Sequence, residues 1–430
     1  MKNNYSFRKF INDVHLWLGI GSGLILFIVC LSGTIYTFRP EIERATSSSK
    51  YYAKIPAGSA RLSPQQLVDR LENQFRGKVT SILIPSDAAL NYQVSIKPGG
   101  GEDAAMVSKK TNILQKDPGG KEQVIGKPGV AGVGENEKKE EARPTTYFVN
   151  PYTAAVAGEQ GGGSTRFFAT VMQLHRWLLM DRSTGTVIVG IATIIFVLVI
   201  LSGLVIWLPR RIRNLKQGLT IKFSSNWKRI NHDLHNVLGF YTMPLLLIMA
   251  LTGLCWSFEW YKNGLSNVLG AKVFRGRNEK PMQSLAGSEN AATVSLNVLL
   301  ASTDKLFSYP GDVRVAFPAD ELGSISVSKN KTGFLAFPGA DKIEFDRFTG
   351  RELKTEYFSN KPLNQKIADS IKPLHTGEIY GLFSKILYFI ACLVATTLPV
   401  TGTIIWINKL RKKARVTSSA RQRQAASVPV

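Results

Sequence analysis

Four long stretches that are nearly free of charged side chains constrain the fold of this chain more than any other feature. About 20 helical residues span the hydrocarbon core of a bilayer, and each stretch reaches that length. A helix also satisfies its own backbone hydrogen bonds, as a hydrocarbon environment requires. We therefore expect four transmembrane helices, at Leu16–Phe38, Val187–Leu208, Leu238–Phe258 and Leu382–Ile407.

The basic residues predict the orientation of these helices. The chain carries a formal net charge of +23, and its basic clusters flank the helices at Arg8-Lys9, 210–229 and 409–423. Lysine and arginine stay on the cytoplasmic side of a membrane. We therefore expect a bacterial inner-membrane protein with both termini and the middle loop in the cytoplasm and two long connections in the periplasm. No separate basic surface remains for nucleic acid.

A duplication relates the two halves of the chain. Asp13–Gly19 and Asp233–Gly239 share the pattern Asp-x-His-x-x-Leu-Gly, and the helices that follow them end on Ser32-Gly33 and Thr252-Gly253. The second and fourth helices match in the same way. Leu-His dipeptides at 174–175 and 374–375 precede these helices, and Ser-Gly or Thr-Gly dipeptides at 202–203 and 401–402 lie near their ends.

The predicted fold is a mainly α membrane protein with four transmembrane helices, arranged as two tandem repeats. Each repeat has a small periplasmic α+β domain between its helices, and the two copies are related by an axis along the membrane normal. Ser63-Pro64 and Ser295 predict helix starts, and alternating apolar residues predict strands. The expected segments are the N-terminus and first helix at 1–39, the first periplasmic domain at 40–164 with a mobile, charge-rich insertion at 98–144, an interfacial helix and second transmembrane helix at 165–208, a basic loop at 209–234, the third helix at 235–260, the second periplasmic domain at 261–370, an interfacial segment and fourth helix at 371–407, and a basic tail at 408–430.

The histidines are the candidate functional residues. His15 and His235 are equivalent in the duplication, and so are His175 and His375. A twofold axis brings equivalent residues face to face, which predicts one histidine pair at each side of the membrane. Two axial imidazoles suit a low-spin haem iron, whereas a structural zinc ion would need four ligands. The sequence has no Cys-x-x-Cys-His, so we expect two b-type haems. The alternative is that the histidines bind lipid headgroups or backbone.

Several neighbouring residues are secondary candidates. His232 lies one turn before His235, and its counterpart is Asn12, so His235 is the expected ligand. His232 is interpreted as a headgroup contact, with a secondary ligand or a proton-handling group as alternatives. Arg176 and Arg182 are candidates for haem propionates or for lipid headgroups. Glu378 is a candidate for tuning the His375 site or relaying a proton. Tryptophans near the helix ends are expected to form an interfacial belt.

These motifs resemble the PepSY-associated transmembrane-helix family. The resemblance rests on the segments 13–19, 174–179, 233–239 and 374–378, and on the turns Asn150–Thr153 and Asp346–Gly350, which resemble those of PepSY-like domains. The first of these turns departs from the pattern, with Ala154-Ala155 in place of a glycine. The family includes inner-membrane ferric-siderophore reductases with four helices and haem. The resemblance therefore implies electron transfer across the membrane to iron chelates.

Three functions remain open from the sequence. The leading one is a di-haem b reductase that reduces a ferric chelate, such as a siderophore complex, held between the two outer domains. Its electrons would come from a quinol or a cytoplasmic reductase. The second is a membrane protein whose outer domains bind peptides or peptidases without redox chemistry. The third is a quinol-linked haem conduit to another periplasmic acceptor.

Overall fold

The computed structural model describes most of the chain. It describes residues 6–99, 144–209, 211, 213, 215–275, 282–284, 293–336 and 339–426. The insertion expected at 98–144 lies almost wholly outside these residues.

Four long helices form the membrane-spanning part of the protein, as predicted. Each is long and apolar enough to cross a bilayer. The helix α1 packs against α6 and α12, and α8 packs against the same two helices, so α1 and α8 occupy opposite corners of the bundle. The bounds are α1 Phe7–Thr37, α6 Arg182–Trp207, α8 Trp227–Ser257 and α12 Gly381–Ala426.

Shorter helices connect this bundle to the rest of the protein. Two of them confirm the predicted caps: Ser63 and Gln66 form a reciprocal capping box at α4, and Ser295 caps α10. The sequence did not predict α2, which begins directly after the break at Phe38 with proline in its first turn. The bounds are α2 Arg39–Thr46, α3 Ser48–Tyr51, α4 Pro64–Phe75, α5 Gly163–Trp177, α7 Leu215–Leu219, α9 Glu259–Leu269, α10 Leu296–Leu306 and α11 Leu363–Thr376.

The segments between the long helices contribute to one eight-stranded antiparallel sheet, in the order β4-β3-β2-β1-β5-β6-β7-β8. The first segment supplies β1–β4 and the second supplies β5–β8. The two halves join where β1 pairs with β5, from Ser81 with Ala316 to Ile84 with Val313. The bounds are β1 Gly77–Ile84, β2 Tyr92–Pro98, β3 Thr145–Val149, β4 Val156–Glu159, β5 Gly311–Ala316, β6 Ile325–Lys331, β7 Ala340–Phe345 and β8 Glu352–Glu356.

One hydrophobic core serves both halves of this sheet. Leu67 and Leu71 of α4 and Leu299 of α10 are fully buried in the same cluster as the inward residues of the strands. The two helices also touch, because Gln65 Oε1 accepts a hydrogen bond from Leu296 N at 2.8 Å. We call α4, α10 and the eight strands the sheet domain. The expectation of two separate outer domains is therefore corrected, since β1 and β5 are hydrogen bonded to each other and join both halves into one sheet.

Candidate functional site

The first pair of equivalent histidines meets at the end of the bundle opposite the sheet domain. His15 lies near the start of α1 and His235 near the start of α8, so the two come from opposite corners of the bundle. Their ring centroids are 6.4 Å apart and their planes are nearly perpendicular, at 86°. We call His15 and His235 the inner pair.

The second pair meets at the end of the bundle nearest the sheet domain. His175 lies in the last turn of α5, which packs on α1, and His375 lies in the last turn of α11, which packs on α8. Their ring centroids are 6.3 Å apart, with 59° between the planes. Trp256 is a further neighbour of this pair, with its ring 5.1 Å from that of His375. We call His175 and His375 the outer pair.

Every one of the four rings is held at Nδ1 by the hydroxyl of a serine or threonine that directly precedes a glycine in a neighbouring helix. For His15, His175 and His375, the backbone carbonyl four residues before that glycine contacts Nδ1 as well. The contacts are His15 Nδ1 with Val199 O (3.0 Å) and Ser202 Oγ (3.1 Å), His175 Nδ1 with Val29 O (2.9 Å) and Ser32 Oγ (3.3 Å), His375 Nδ1 with Met249 O (2.9 Å) and Thr252 Oγ1 (3.2 Å), and His235 Nδ1 with Thr401 Oγ1 (2.9 Å).

These contacts determine which ring nitrogen is free. A carbonyl oxygen only accepts hydrogen bonds, so Nδ1 carries the proton in His15, His175 and His375. At His235 the Thr401 hydroxyl donates to Thr397 O or Leu398 O, each at 3.1 Å, so its oxygen accepts from Nδ1. In the neutral form of all four rings Nε2 therefore keeps its lone pair. An anchored Nδ1–H of this kind fixes the tautomer and orientation of metal-binding histidines.

Glycine in the anchoring helices makes room for each ring. A Cβ atom added at these positions would lie only 3.0 to 3.2 Å from Cε1 of the histidine. The four contacts are Gly203 with His15, Gly33 with His175, Gly402 with His235 and Gly253 with His375. In the sequence these glycines stand out only as parts of the repeated Ser-Gly and Thr-Gly dipeptides. The sequence did not indicate that the adjacent serine or threonine anchors a histidine.

A cavity of about 470 Å³ surrounds the inner pair. Its walls are largely aliphatic and aromatic, from all four long helices. The polar exceptions include Asn12, His232, Asn236 and Lys409. Trp207 and Trp406, two of the tryptophans near the helix ends, also line this cavity.

His232 stands apart from both pairs. Its ring lies beside Asp233, with Nδ1 3.5 Å from Oδ1, and beside the Asn236 amide at 3.2 Å. Its side chain is about half exposed (49%), whereas that of Asp233 is buried. The geometry thus agrees with the choice of His235 as the partner of His15.

The other secondary candidates lie around the outer pair without joining it. The guanidinium groups of Arg176 and Arg182 both lie over the ring of Trp177, at 5.3 and 5.8 Å. Glu378 accepts a hydrogen bond from Thr376 and lies 3.7 Å from Lys385 Nζ. Lys385 is buried and bonded mainly to Glu41, at 2.8 Å. A role for these residues at the outer pair stays a prediction.

The spacing of both pairs suits a shared metal ion. With metal–nitrogen bonds of about 2 Å, two imidazoles on opposite sides of one ion have ring centroids about 6 Å apart. Within the part of the chain that the structure describes, no cluster of three or more histidine, cysteine or acidic side chains has the arrangement of a metal site. Each pair therefore offers two nitrogen ligands and leaves the remaining positions of the ion to another group.

The fold and the site define a four-helix membrane protein with two pairs of facing histidines. The chain belongs to the family described as the PepSY-associated TM region, whose profile matches residues 13–409. This confirms the family suggested by the sequence motifs, and the matched range includes all four paired histidines. A search of curated proteins found no match.

Proposed function

We propose that this protein is a di-haem b reductase of the bacterial inner membrane, which passes electrons to ferric chelates of the siderophore type in the periplasm. The observation that carries the proposal is the pairing of His15 with His235 and of His175 with His375, at 6.4 and 6.3 Å. A low-spin haem takes one imidazole on each side of its plane, and each pair supplies two such groups with Nε2 free.

The residues of the chain have separate tasks in this proposal. Bound haem would supply a one-electron iron couple at each pair. The Nε2 atoms would hold the iron, and the carbonyl and hydroxyl anchors on Nδ1 keep the rings from rotating and raise their basicity. An apolar cluster around Ile200, Leu246, Ala391 and Ala395 packs inside the bundle, and three of these residues also line the cavity of the inner pair. Such apolar packing would keep water and ions out of the bundle while electrons cross it.

The acceptor would bind at the sheet-domain end, beyond the outer pair. There the loop between β6 and β7 reaches the start of α12, where Phe383 N donates to Phe334 O at 3.1 Å. A ferric chelate is the proposed substrate because iron(II) is softer and less charged than iron(III). Hard-oxygen chelators hold it less well, so one electron is enough to release the metal.

The test is a haem count on the purified protein in a mild detergent. We expect a reducible b-type absorption spectrum with two haems per chain. His175→Ala and His375→Ala should each lower the count to one, and so should His15→Ala and His235→Ala. His232→Ala is the matched control on the same helix face as His235, and it should retain two haems. A colourless wild-type protein would overturn the proposal and favour peptide binding by the sheet domain.

A second measurement separates the reductase from a conduit. Protein in proteoliposomes is reduced from the inner-pair side, and ferric chelates are offered at the other side. Iron(II) formation, followed with a ferrous-specific dye, supports the reductase. Reduced haem that persists in the presence of every ferric chelate would instead favour delivery of electrons to another periplasmic protein.

A further inference from the structure

A second, smaller cavity of about 240 Å³ lies beside the cavity of the inner pair. It is formed by the end of α6, the short helix α7 and the first turns of α8. The two cavities share four lining residues, Ile206, Trp207, His232 and Asn236. Any molecule held in the smaller cavity is therefore separated from the inner pair by little more than these side chains.

One wall of this cavity is polar. Asp233 is 3% exposed, and Arg229 Nε holds its carboxylate at 2.8 Å. His232 lies against the same carboxylate at 3.5 Å and is itself half exposed. The His232 ring therefore lies between the cavity and the solvent, where its nitrogen atoms can hydrogen bond to a hydroxyl group of a ligand.

The apolar lining of this cavity comes from Ile206, Trp207 and Val237. Trp207 stacks on Phe240, which lines the cavity of the inner pair, with ring centroids 3.6 Å apart and 10° between the planes. The Trp207 indole nitrogen also donates to Gly218 O at 2.9 Å, which fixes the ring in place. The cavity thus combines an aromatic surface with polar side chains, as a small aromatic ring with polar groups at its edges requires.

We propose that this cavity binds the headgroup of a quinol, which is the electron donor to the inner pair. This inference rests on the proposed function and names its donor. A volume of about 240 Å³ suits a single substituted ring, whereas drug-sized ligands occupy about 300–1,000 Å³ and a dinucleotide is larger still. The cavity also lies at the end of membrane helices, where a lipid-soluble molecule arrives from the bilayer.

The redox balance fits a quinol. Its oxidation breaks two O–H bonds and yields one quinone, two protons and two electrons. The two protons pass to the solvent, on the side of the cavity where the half-exposed His232 ring lies. The two electrons leave singly through the inner pair and reduce two ferric chelates to two ferrous ones. A nicotinamide donor releases a hydride, which is an electron pair, and would need a flavin in between.

Binding of a short-chain ubiquinone analogue tests the site directly, because it does not depend on electron transfer. Quenching of tryptophan fluorescence in protein reconstituted in nanodiscs gives the affinity. His232→Ala should weaken binding about tenfold, the equivalent of one hydrogen bond of about 1.4 kcal/mol. The matched control is Lys228→Ala, one turn earlier on α8 and exposed, which should bind as the wild type does. Equal affinity in both variants would refute the site.

A kinetic measurement distinguishes failure of this inference from failure of the proposed function. The reduced analogue is mixed with oxidised, haem-loaded protein, and the haem absorbance is followed. Reduction should be slowed in His232→Ala, while reduction by dithionite and the haem count stay unchanged. Haem-loaded protein that dithionite reduces but the quinol does not would overturn the donor site alone. Protein without haem would overturn the proposed function, whatever the quinone affinity.

Discussion

A Cβ atom at Gly253 would lie only 3.0 Å from Cε1 of His375. The α8 backbone and the imidazole are therefore in direct contact, and the same contact recurs at the other three paired histidines. In each case the residue before the glycine is Ser or Thr, and its hydroxyl lies at Nδ1 of the ring. The short dipeptide and the histidine are thus two parts of one unit, supplied by different helices.

Replacement of Gly253 by a larger residue should disrupt the outer pair. A valine side chain cannot share space with the His375 ring, so Gly253→Val should displace the imidazole and lower the haem count from two to one. Gly21→Val is the control, because no atom lies within 4 Å of the Cβ position at Gly21. A count of two in Gly253→Val would show that the close contact does not position the ligand.

The hydroxyl anchors should matter most at His235. The Thr401 contact with Nδ1, at 2.9 Å, is the shortest of the four hydroxyl contacts. Thr401→Val keeps the volume and removes this contact. Loss of such an anchor typically weakens metal retention about 10–100-fold. The rate of haem transfer to apomyoglobin measures this retention, and the rate should rise for the inner site.

A control for this variant lies on the same helix. The Thr397 hydroxyl donates only to Val394 O of its own helix, at 2.7 Å, and the side chain faces outward. Thr397→Val should transfer haem at the wild-type rate. If both threonine variants behave alike, the anchor does not hold the ligand.

Much of this molecule could be predicted from local patterns. Uninterrupted apolar stretches identified the four long helices, and duplication placed His15 opposite His235 and His175 opposite His375. Both patterns are periodic or repeated along the chain, so they can be recognised from the sequence without knowledge of the tertiary fold. The Ser/Thr-Gly dipeptides were visible as well, but their partners are histidines far away in the sequence. Only packing could show that contact.

The continuous sheet could not be predicted in the same way. Alternating residues predicted β1 and β5 as strands, yet alternation carries no information about which edge pairs with which. Ser81 and Ala316 are distant in sequence and become neighbours only when both halves fold. The strands β4 and β8, which lie at the two edges of the sheet, were missed because edge strands are short and lack a strong apolar pattern.

Because one core serves both halves of the sheet, a substitution that destabilises β5–β8 should also destabilise β1–β4. Leu299 of α10 is completely buried, and Leu299→Ala should lower the free energy of unfolding of the sheet domain by about 2–5 kcal/mol. Hydrogen exchange should then accelerate in β1 and β2 as well as in β5 and β6. Val298→Ala on the same helix is the control, since Val298 is 54% exposed. Faster exchange confined to β5–β8 would contradict a single cooperative core.

Gly350 and Ala154 occupy equivalent positions in two turns of the sheet domain. Exchanging glycine and alanine at these positions should change the stability of the domain by unequal amounts. Gly350 has φ +69° and Ala154 has φ +61°, a region that costs an L-residue about 1–2 kcal/mol. Gly350→Ala adds this cost together with a contact 3.1 Å from Val294, and should destabilise the sheet domain by at least about 1 kcal/mol. Urea titration of exchange rates measures the loss.

The reverse change at the other turn should be nearly neutral. Ala154→Gly relieves the left-handed strain, but glycine costs about 0.5–1 kcal/mol of chain entropy. It also removes a buried methyl group worth about 0.8 kcal/mol. The relief of strain opposes these two costs, so the stability should change by less than about 1 kcal/mol. A large stabilisation would mean that the methyl group contributes nothing to packing.

Glu356 should make the sheet domain sensitive to acid. Burial opposes the charge on this side chain, but a hydrogen bond from Lys354 and the charges of Arg275, Lys354 and Lys361 outweigh burial and lower the pKa of Glu356 to about 2. Folding therefore favours the ionised form. Its contribution to stability is complete above the ordinary glutamate pKa of 4.5 and is lost as the pH falls from there toward 2.

The variant Glu356→Gln isolates this effect from the other carboxylates. At pH 7 it should exchange amide hydrogens in β7 and β8 faster than the wild type, after correction for the intrinsic rate. At a pH near 2 the two proteins should converge, because Glu356 is then losing its charge in the folded wild type as well. A difference that is equally large at both pH values would show that the ion pairs around Glu356 do not stabilise this edge of the sheet.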